Sequence, residues 1–233
     1  MIFYGLNVAA FKLPISVPHR EMLNECHALY DCFLPHNMQT GKTGWRTAAI
    51  KAALGNWRLT DPGFYRRLPE MDDVNGQTMK ERREYMRQWA YTELASHCPK
   101  TTRFCQDIEN LGSFMTGARF LQVTATHFIN FHQDNNPHKE FRVTVGLEGM
   151  DDEEFVIQTG PDEFVNIPMK EGEAWFVDIG LGHAVRNSKD APRYRLGLQY
   201  YSPTCDRMLK LFEEADPESV IYARHLQLGA PFA

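Results

Sequence analysis

The sequence predicts a mainly β protein with flanking helices, its strands forming a sandwich or barrel. Three observations lead there. After Gly117 the chain breaks into short runs rich in β-branched and aromatic residues, turn-forming clusters separate those runs, and the segments on either side carry helical spacing instead.

The elements follow in chain order. "HREMLNECHALYDCFL" reads as a helix, and "GWRTAAIKAAL" as a strand or a helix that periodicity does not separate. From Gln77 to Cys98 the chain lacks Pro and Gly and brings Met79, Tyr85, Met86, Trp89 and Leu94 onto one side at helical spacing, which predicts an amphipathic helix packed on a core. Six β runs come next: "ARFLQVTATHFINFH", "FRVTVGLEG", "EFVIQTG", "EFVNIPM", "EAWFVDIG" and "RYRLGLQYY". The tail from Cys205 returns to helical composition, interrupted by Pro217. We therefore expect one domain over 1–233, with a helical N-terminal region containing some strand (1–112), a β core (113–203) and a helical tail (204–233). No internal repeat or low-complexity segment is present.

Composition narrows the class. At 233 residues the chain can bury one sizeable core, and 43% hydrophobic with 24% charged residues is ordinary globular usage. A formal net charge of -5 gives no general field for phosphate backbones, so nucleic acid is not the expected partner. No stretch is apolar enough to span a membrane, and the start shows no basic leader, so a soluble cytoplasmic protein is expected. The five cysteines (Cys26, Cys32, Cys98, Cys105 and Cys205) are odd in number, scattered and without a CxxC pair, consistent with reduced thiols. Homo-oligomerisation stays open.

The chemistry centres on "NFHQDNN". In an extended strand alternate side chains share a face, so His132 and Asp134 point the same way, with Phe128 and Asn130, while His127, Ile129 and Phe131 face the other. A lone HxD is weak, and a third ligand is needed. His183 supplies it, 51 residues on (183 − 132), just after a strand ending in Asp178 and a Gly-containing turn. Two imidazoles and one carboxylate occupy one face of an octahedral Fe(II) and leave three positions open, as an oxygenase requires. A 2-oxo acid can fill two and dioxygen the third. Its distal carboxylate calls for a guanidinium, and Arg193 or Arg195, on one strand face, can provide it. Arg142 can clamp a substrate carboxylate. "TGKT" at 40–43 is not a phosphate loop, because His36 stands where that loop needs glycine. His127 and His138 read as structural or exposed.

The stretches "ARFLQVTATHFINFHQDNN", "FRVTVGL" and "GEAWFVDIGLGHAVRNSKDAPR" resemble the aspartyl/asparaginyl β-hydroxylase-like group of Fe(II)- and 2-oxoglutarate-dependent oxygenases, which includes bacterial proline cis-4-hydroxylases. The resemblance covers about residues 117–201 and rests on His132, Asp134, Arg142, Gly172, Glu173, Trp175, Asp178, His183, Asn187 and Arg193 in that order. It implies a double-stranded β-helix (jelly-roll, cupin-like) core, with His132, Asp134 and His183 as iron ligands. It also implies Arg193 on the far carboxylate of 2-oxoglutarate and Arg142 on substrate or cosubstrate. Thr144, where some members carry histidine, and Arg195 depart from the pattern. "TGWRTAAIK" resembles the Trp-Arg strand preceding the core in relatives, which suggests Trp45 and Arg46 as pocket residues. The expected activity is hydroxylation of a C–H bond of a small amino acid or amino-acid derivative, with Fe(II), 2-oxoglutarate and O2. The alternatives are an aspartyl or asparaginyl residue in a peptide as substrate, a cupin-type metal enzyme without 2-oxoglutarate, and a non-catalytic jelly-roll that binds a ligand.

Overall fold

The computed structural model describes residues 2–3, 6–37, 42–58, 89–112, 114–134, 140–150, 154–201 and 206–223. In chain order these form β1 (Ile2–Phe3), β2 (Leu6–Lys12), α1 (His19–Ala28), β3 (Leu34–Asn37), β4 (Lys42–Ala53), β5 (Trp89–Tyr91), α2 (Pro99–Asp107), β6 (Phe114–Val123) and β7 (Phe128–His132). There follow β8 (Glu140–Glu148), β9 (Phe155–Gln158), β10 (Phe164–Asn166), β11 (Ala174–Val177), β12 (His183–Arg186), β13 (Arg193–Tyr201), α3 (Asp206–Glu213) and β14 (Ile221–Tyr222).

Two antiparallel sheets face each other. The smaller runs β10-β9-β12-β7. The larger has β11-β8-β13-β6 at its centre, extended by β2 and β1 on one side and by β4 and β3 on the other, with β14 on β2 and β5 on β4. The eight strands β6 to β13 divide four and four, with β6, β8, β11 and β13 in the large sheet and β7, β9, β10 and β12 in the small one, which is the jelly-roll.

Period-2 alternation explains why the large sheet is buried on both faces. On β13, Tyr194, Leu196, Leu198 and Tyr200 join Phe141, Val143 and Val145 of β8, and against them pack Met22 and Cys26 of α1 and Phe104 of α2. The alternate residues, Arg193, Arg195 and Gly197 on β13 and Arg142 and Thr144 on β8, look toward the small sheet. There a second apolar cluster, including Val123, Phe155, Ile157, Trp175, Val177 and Val185, fills the space between the layers. Functional polar groups are thus embedded in a closed β core.

The motif glycine and acids build the turns around that core. Gly172 has φ +79°, a left-handed conformation that favours glycine, at the start of the run into β11. The Glu173 carboxylate accepts from the Trp175 indole (3.0 Å) and the Lys170 amide (3.0 Å). Asp178 accepts from the Gly180 amide (3.0 Å), closing the turn that delivers His183.

The N-terminal part differs from the expected helical region. Five of its strands, β1 to β5, are built into the large sheet, and "GWRTAAIKAA" lies in strand β4. The helix expected over 77–98 lies outside the described residues up to 88. Beyond that point Trp89–Tyr91 pairs with β4, and Glu93–His97 is a single 3-10 turn. Edge pairing to β4 overrides the helical spacing there. In the tail, α3 ends before Pro217 as expected, and the chain returns to the sheet as β14.

Candidate active site

Antiparallel pairing of β7 and β12 sets His183 directly across from His132, with ring centroids 4.4 Å apart. Asp134 follows at the end of β7, its amide bonded to the Ile179 carbonyl at 3.1 Å. Its carboxylate lies 3.2 Å from His132 Nε2 and 3.9 Å from His183 Nε2. One ligand atom from each of the three falls within a 4.8 Å cluster, the one group of at least three such side chains among the described residues.

The orientation of both rings is set by backbone. His132 Nδ1 donates to the Asn130 carbonyl (2.7 Å) and His183 Nδ1 to the Leu181 carbonyl (2.9 Å), so each presents Nε2 toward the carboxylate. Burial pushes the His183 imidazole down to about 4, keeping it neutral near pH 7. Its Nε2 is buried without a hydrogen-bond partner, which is what an absent metal would leave. Burial alone pushes the Asp134 carboxyl up, but the Arg142 guanidinium and the two imidazoles hold it well below the usual carboxylate range. Arg142 Nη2 donates to Asp134 Oδ2 at 2.7 Å. The donor set and its geometry fit a divalent metal.

A cavity opens in front of the triad. Arg195, Arg142, Thr144, Leu121 and Trp45 line it from the large sheet, and Ile129, Phe155, Val185 and the two histidines from the small one. The two candidate anchor arginines separate clearly. Arg193 is buried in an ion pair, its Nη1 2.8 Å from Glu154 Oε2 and 3.0 Å from the Arg186 carbonyl, with both side chains 2% exposed. Arg195 is equally buried, lies over the Phe155 ring (4.8 Å from its centroid) and has an Nε without a partner. Burial and neighbouring Arg193 push its pKa down, so an anion beside it would be strongly favoured. Thr144 Oγ1, on the same cavity, is also buried and unpartnered.

Two details were not readable from strand alternation. The β7–β12 ladder shifts register between His183 and Val185, so four residues of β7 (Ile129 to His132) oppose three of β12 (His183 to Val185). This bulge turns Ile129 to the same side as His132, correcting the expectation that it faces away. His127 lies against Gly44, outside the triad, whereas His138 is outside the described residues. Trp45 lines the cavity as expected. Arg46 does not: it donates to the Phe33 carbonyl (2.6 Å) on the other face of β4. The cavity walls Leu121, Phe155 and Val185 were missed; Thr144, noted only as a departure, was findable as the residue two after Arg142.

Comparison with known families now adds to this geometry. The Aspartyl/Asparaginyl beta-hydroxylase profile matches residues 19–203, most of the chain. The chain belongs to the aspartyl/asparaginyl β-hydroxylase family. It is an Fe(II)- and 2-oxoglutarate-dependent dioxygenase, a hydroxylase using 2-oxoglutarate and O2 as cosubstrates. Among curated proteins no sequence match is found. Solved structures similar to this chain include a 2OG-Fe(II) oxygenase family oxidoreductase from Burkholderia pseudomallei (18% identity, 84% of each chain covered, TM-score 0.44). A Pseudomonas putida prolyl-4-hydroxylase is also similar (13% identity, 84% of this chain and 93% of that one, TM-score 0.46). A prolyl hydroxylase from Trichoplax adhaerens, in complex with a hypoxia inducible factor peptide, is similar as well (14%, 86% of each chain, TM-score 0.49).

Proposed function

We propose that this β-hydroxylase-family enzyme hydroxylates an unactivated C–H bond of a small amino acid or amino-acid derivative, with His132, Asp134 and His183 holding Fe(II). The overall change is 2-oxoglutarate + O2 + R–H to succinate + CO2 + R–OH. The bound metal, together with 2-oxoglutarate and O2, supplies the oxidising chemistry. The observation that carries the reading is the pairing of a neutral, unpartnered His183 Nε2 with a buried Arg195 that lines the same cavity and, unlike Arg193, makes no ion pair among the described residues.

The chain's own residues have distinct tasks. The Asn130 and Leu181 carbonyls keep both imidazoles turned with Nε2 inward. Arg195, with Thr144, takes the far carboxylate of 2-oxoglutarate, so Arg195 rather than Arg193 is the anchor. Arg193 instead braces the turn between β12 and β13 through Glu154, which also accepts from Ser188 N (3.0 Å) and Oγ (2.9 Å). Leu121, Ile129, Phe155 and Val185 exclude water around the reacting carbon. Arg142, at 17% side-chain exposure, steadies Asp134 and stands at the position expected to meet a substrate carboxylate. We place the enzyme in the cytoplasm, which suits the free thiols of Cys26, Cys32, Cys98 and Cys105. No helix among the described residues is long and apolar enough to cross a membrane.

The test is succinate formation from 2-oxoglutarate with Fe(II), ascorbate and air, over pools of free amino acids, with His183→Ala as blank. Stimulation by one pool, absent in the blank, supports the reading. Stimulation only by Asp- or Asn-containing peptides would move the substrate class to peptides.

A further inference from the structure

Beyond the triad and the arginine, two more unsatisfied groups stand at the cavity wall that β4 contributes and on the β3 residue stacked behind it. Trp45 lines the cavity, with its ring centroid 6.4 Å from that of His132. The His36 ring stacks on it at 3.7 Å and 24°. Trp45 Nε1 and His36 Nδ1 are both buried, and neither has a hydrogen-bond partner. An indole N–H can only donate. Leaving one such buried group unmade costs about 1–3 kcal/mol, and here two sit side by side. Neither jelly-roll packing nor the ring stack uses these atoms, because stacking engages the faces and leaves the ring-edge nitrogens open.

The cosubstrate does not account for them. Arg195 and Thr144 lie on β13 and β8, whereas Trp45 lies on β4, separated from β13 by β6. Arg142 lines the same cavity as Trp45, and Arg119 and Arg142 add to burial in pushing His36 below its ordinary value, with Asp134 opposing them. A buried indole N–H on a cavity that a guanidinium also lines favours an oxyanion.

We propose that the Trp45–His36 pair is the recognition subsite for a carboxylate of the prime substrate, with the Trp45 indole N–H as its principal donor. This deepens the amino-acid reading above and rests on it. The metal-binding strand β7 and the N-terminal extension strands β3 and β4 then grip the substrate from two sides. Specificity would be set partly by residues outside the eight jelly-roll strands.

The test uses ¹⁵N-labelled, Zn(II)-loaded full-length protein, in which four tryptophans give four indole N–H signals and Trp45→Phe assigns one of them. We expect the Trp45 signal to stay in place on adding 2-oxoglutarate, and to move downfield when a pool of free L-amino acids follows. The corresponding decarboxylated amines should leave it unmoved. In turnover, Trp45→Phe should raise the KM of the stimulating amino acid at least tenfold and leave the KM for 2-oxoglutarate within twofold. The metal-free variant should be no less stable than the parent, since an unpaired donor has been removed. Movement complete with 2-oxoglutarate alone, equal movement with the amines, or no movement with any addition would each overturn the subsite. If an amino acid drives succinate release while the Trp45 signal stays still, the subsite fails and the amino-acid reading stands. If a pool moves the signal but none drives succinate release, the amino-acid substrate reading fails and the carboxylate subsite stands.

Discussion

Two arginines two residues apart on β13 sit in opposite surroundings. Around Arg193 the chain is densely bonded: Glu154 binds it and also Ser188, while Asn187 Nδ2 reaches the Val123, Thr124 and Ala191 carbonyls at 3.0, 3.0 and 2.8 Å. Around Arg195 there is no ion pair among the described residues, and Thr144 Oγ1 and His183 Nε2 on the same cavity are buried and unpartnered. The first region is finished by folding, and the second is finished by ligands. A buried polar group without a protein partner is costly to stability, so its retention in a cavity points to binding.

This contrast can be broken by substitution. The largest effect should come from Arg193→Ala, which strands the Glu154 carboxylate at 2% exposure and should cost about 3–5 kcal/mol in chemical denaturation. The double change Arg193→Met with Glu154→Leu should recover most of that loss. Failure to recover it would mean that the ion pair is not what makes the site sensitive.

Arg142→Ala removes the 2.7 Å bond to Asp134 and should weaken metal binding about 10- to 100-fold, read by titrating Mn(II) into metal-free protein. Unchanged metal affinity would leave Arg142 a substrate contact only.

The pH dependence of the metal-free protein follows from His183. Its imidazole sits at about 4 in the folded chain against an ordinary 6.5, so the unfolded chain binds more protons between those values. Stability should therefore fall as pH drops from 6.5 toward 4, by at most about 1.4 kcal/mol per pH unit for this one group. His132, raised by its bond to Asp134, contributes in the other sense, with stability present below 6.5 and lost above it. His183→Asn should flatten the acid limb of a urea-denaturation series.

Smallest is Gly197→Ala. A Cβ there would meet Leu121 Cδ1, the end of a flexible side chain, at 2.9 Å, and Arg142 Cδ at an ordinary contact distance of 3.6 Å. A stability loss of about 1 kcal/mol with weakened 2-oxoglutarate binding is expected, as the Leu121 side chain, which lines the cavity, is displaced.

Much of the site was legible because its determinants are local. HxD on one strand, a turn closed by Asp178 and a histidine opening the next strand can be read from spacing, as can the runs that become β6 to β13. Long-range partners were not legible. The choice between Arg193 and Arg195 turns on Glu154, 39 residues before Arg193 and in another sheet region. The facing of Ile129 depends on a bulge that alternation cannot show. The strand at Trp89–Tyr91 exists because β4 offers an edge, while its own sequence carries helical spacing.

The most direct test of the account is the affinity of metal-loaded protein for 2-oxoglutarate in Arg195→Ala beside Glu154→Gln, measured calorimetrically with Zn(II) in place of iron. The account predicts a loss of about 100-fold or more in Arg195→Ala and a change within threefold in Glu154→Gln, where stability suffers instead. Equal small losses in both, or the larger loss in Glu154→Gln, would contradict the assignment of Arg195 as the anchor of the cosubstrate.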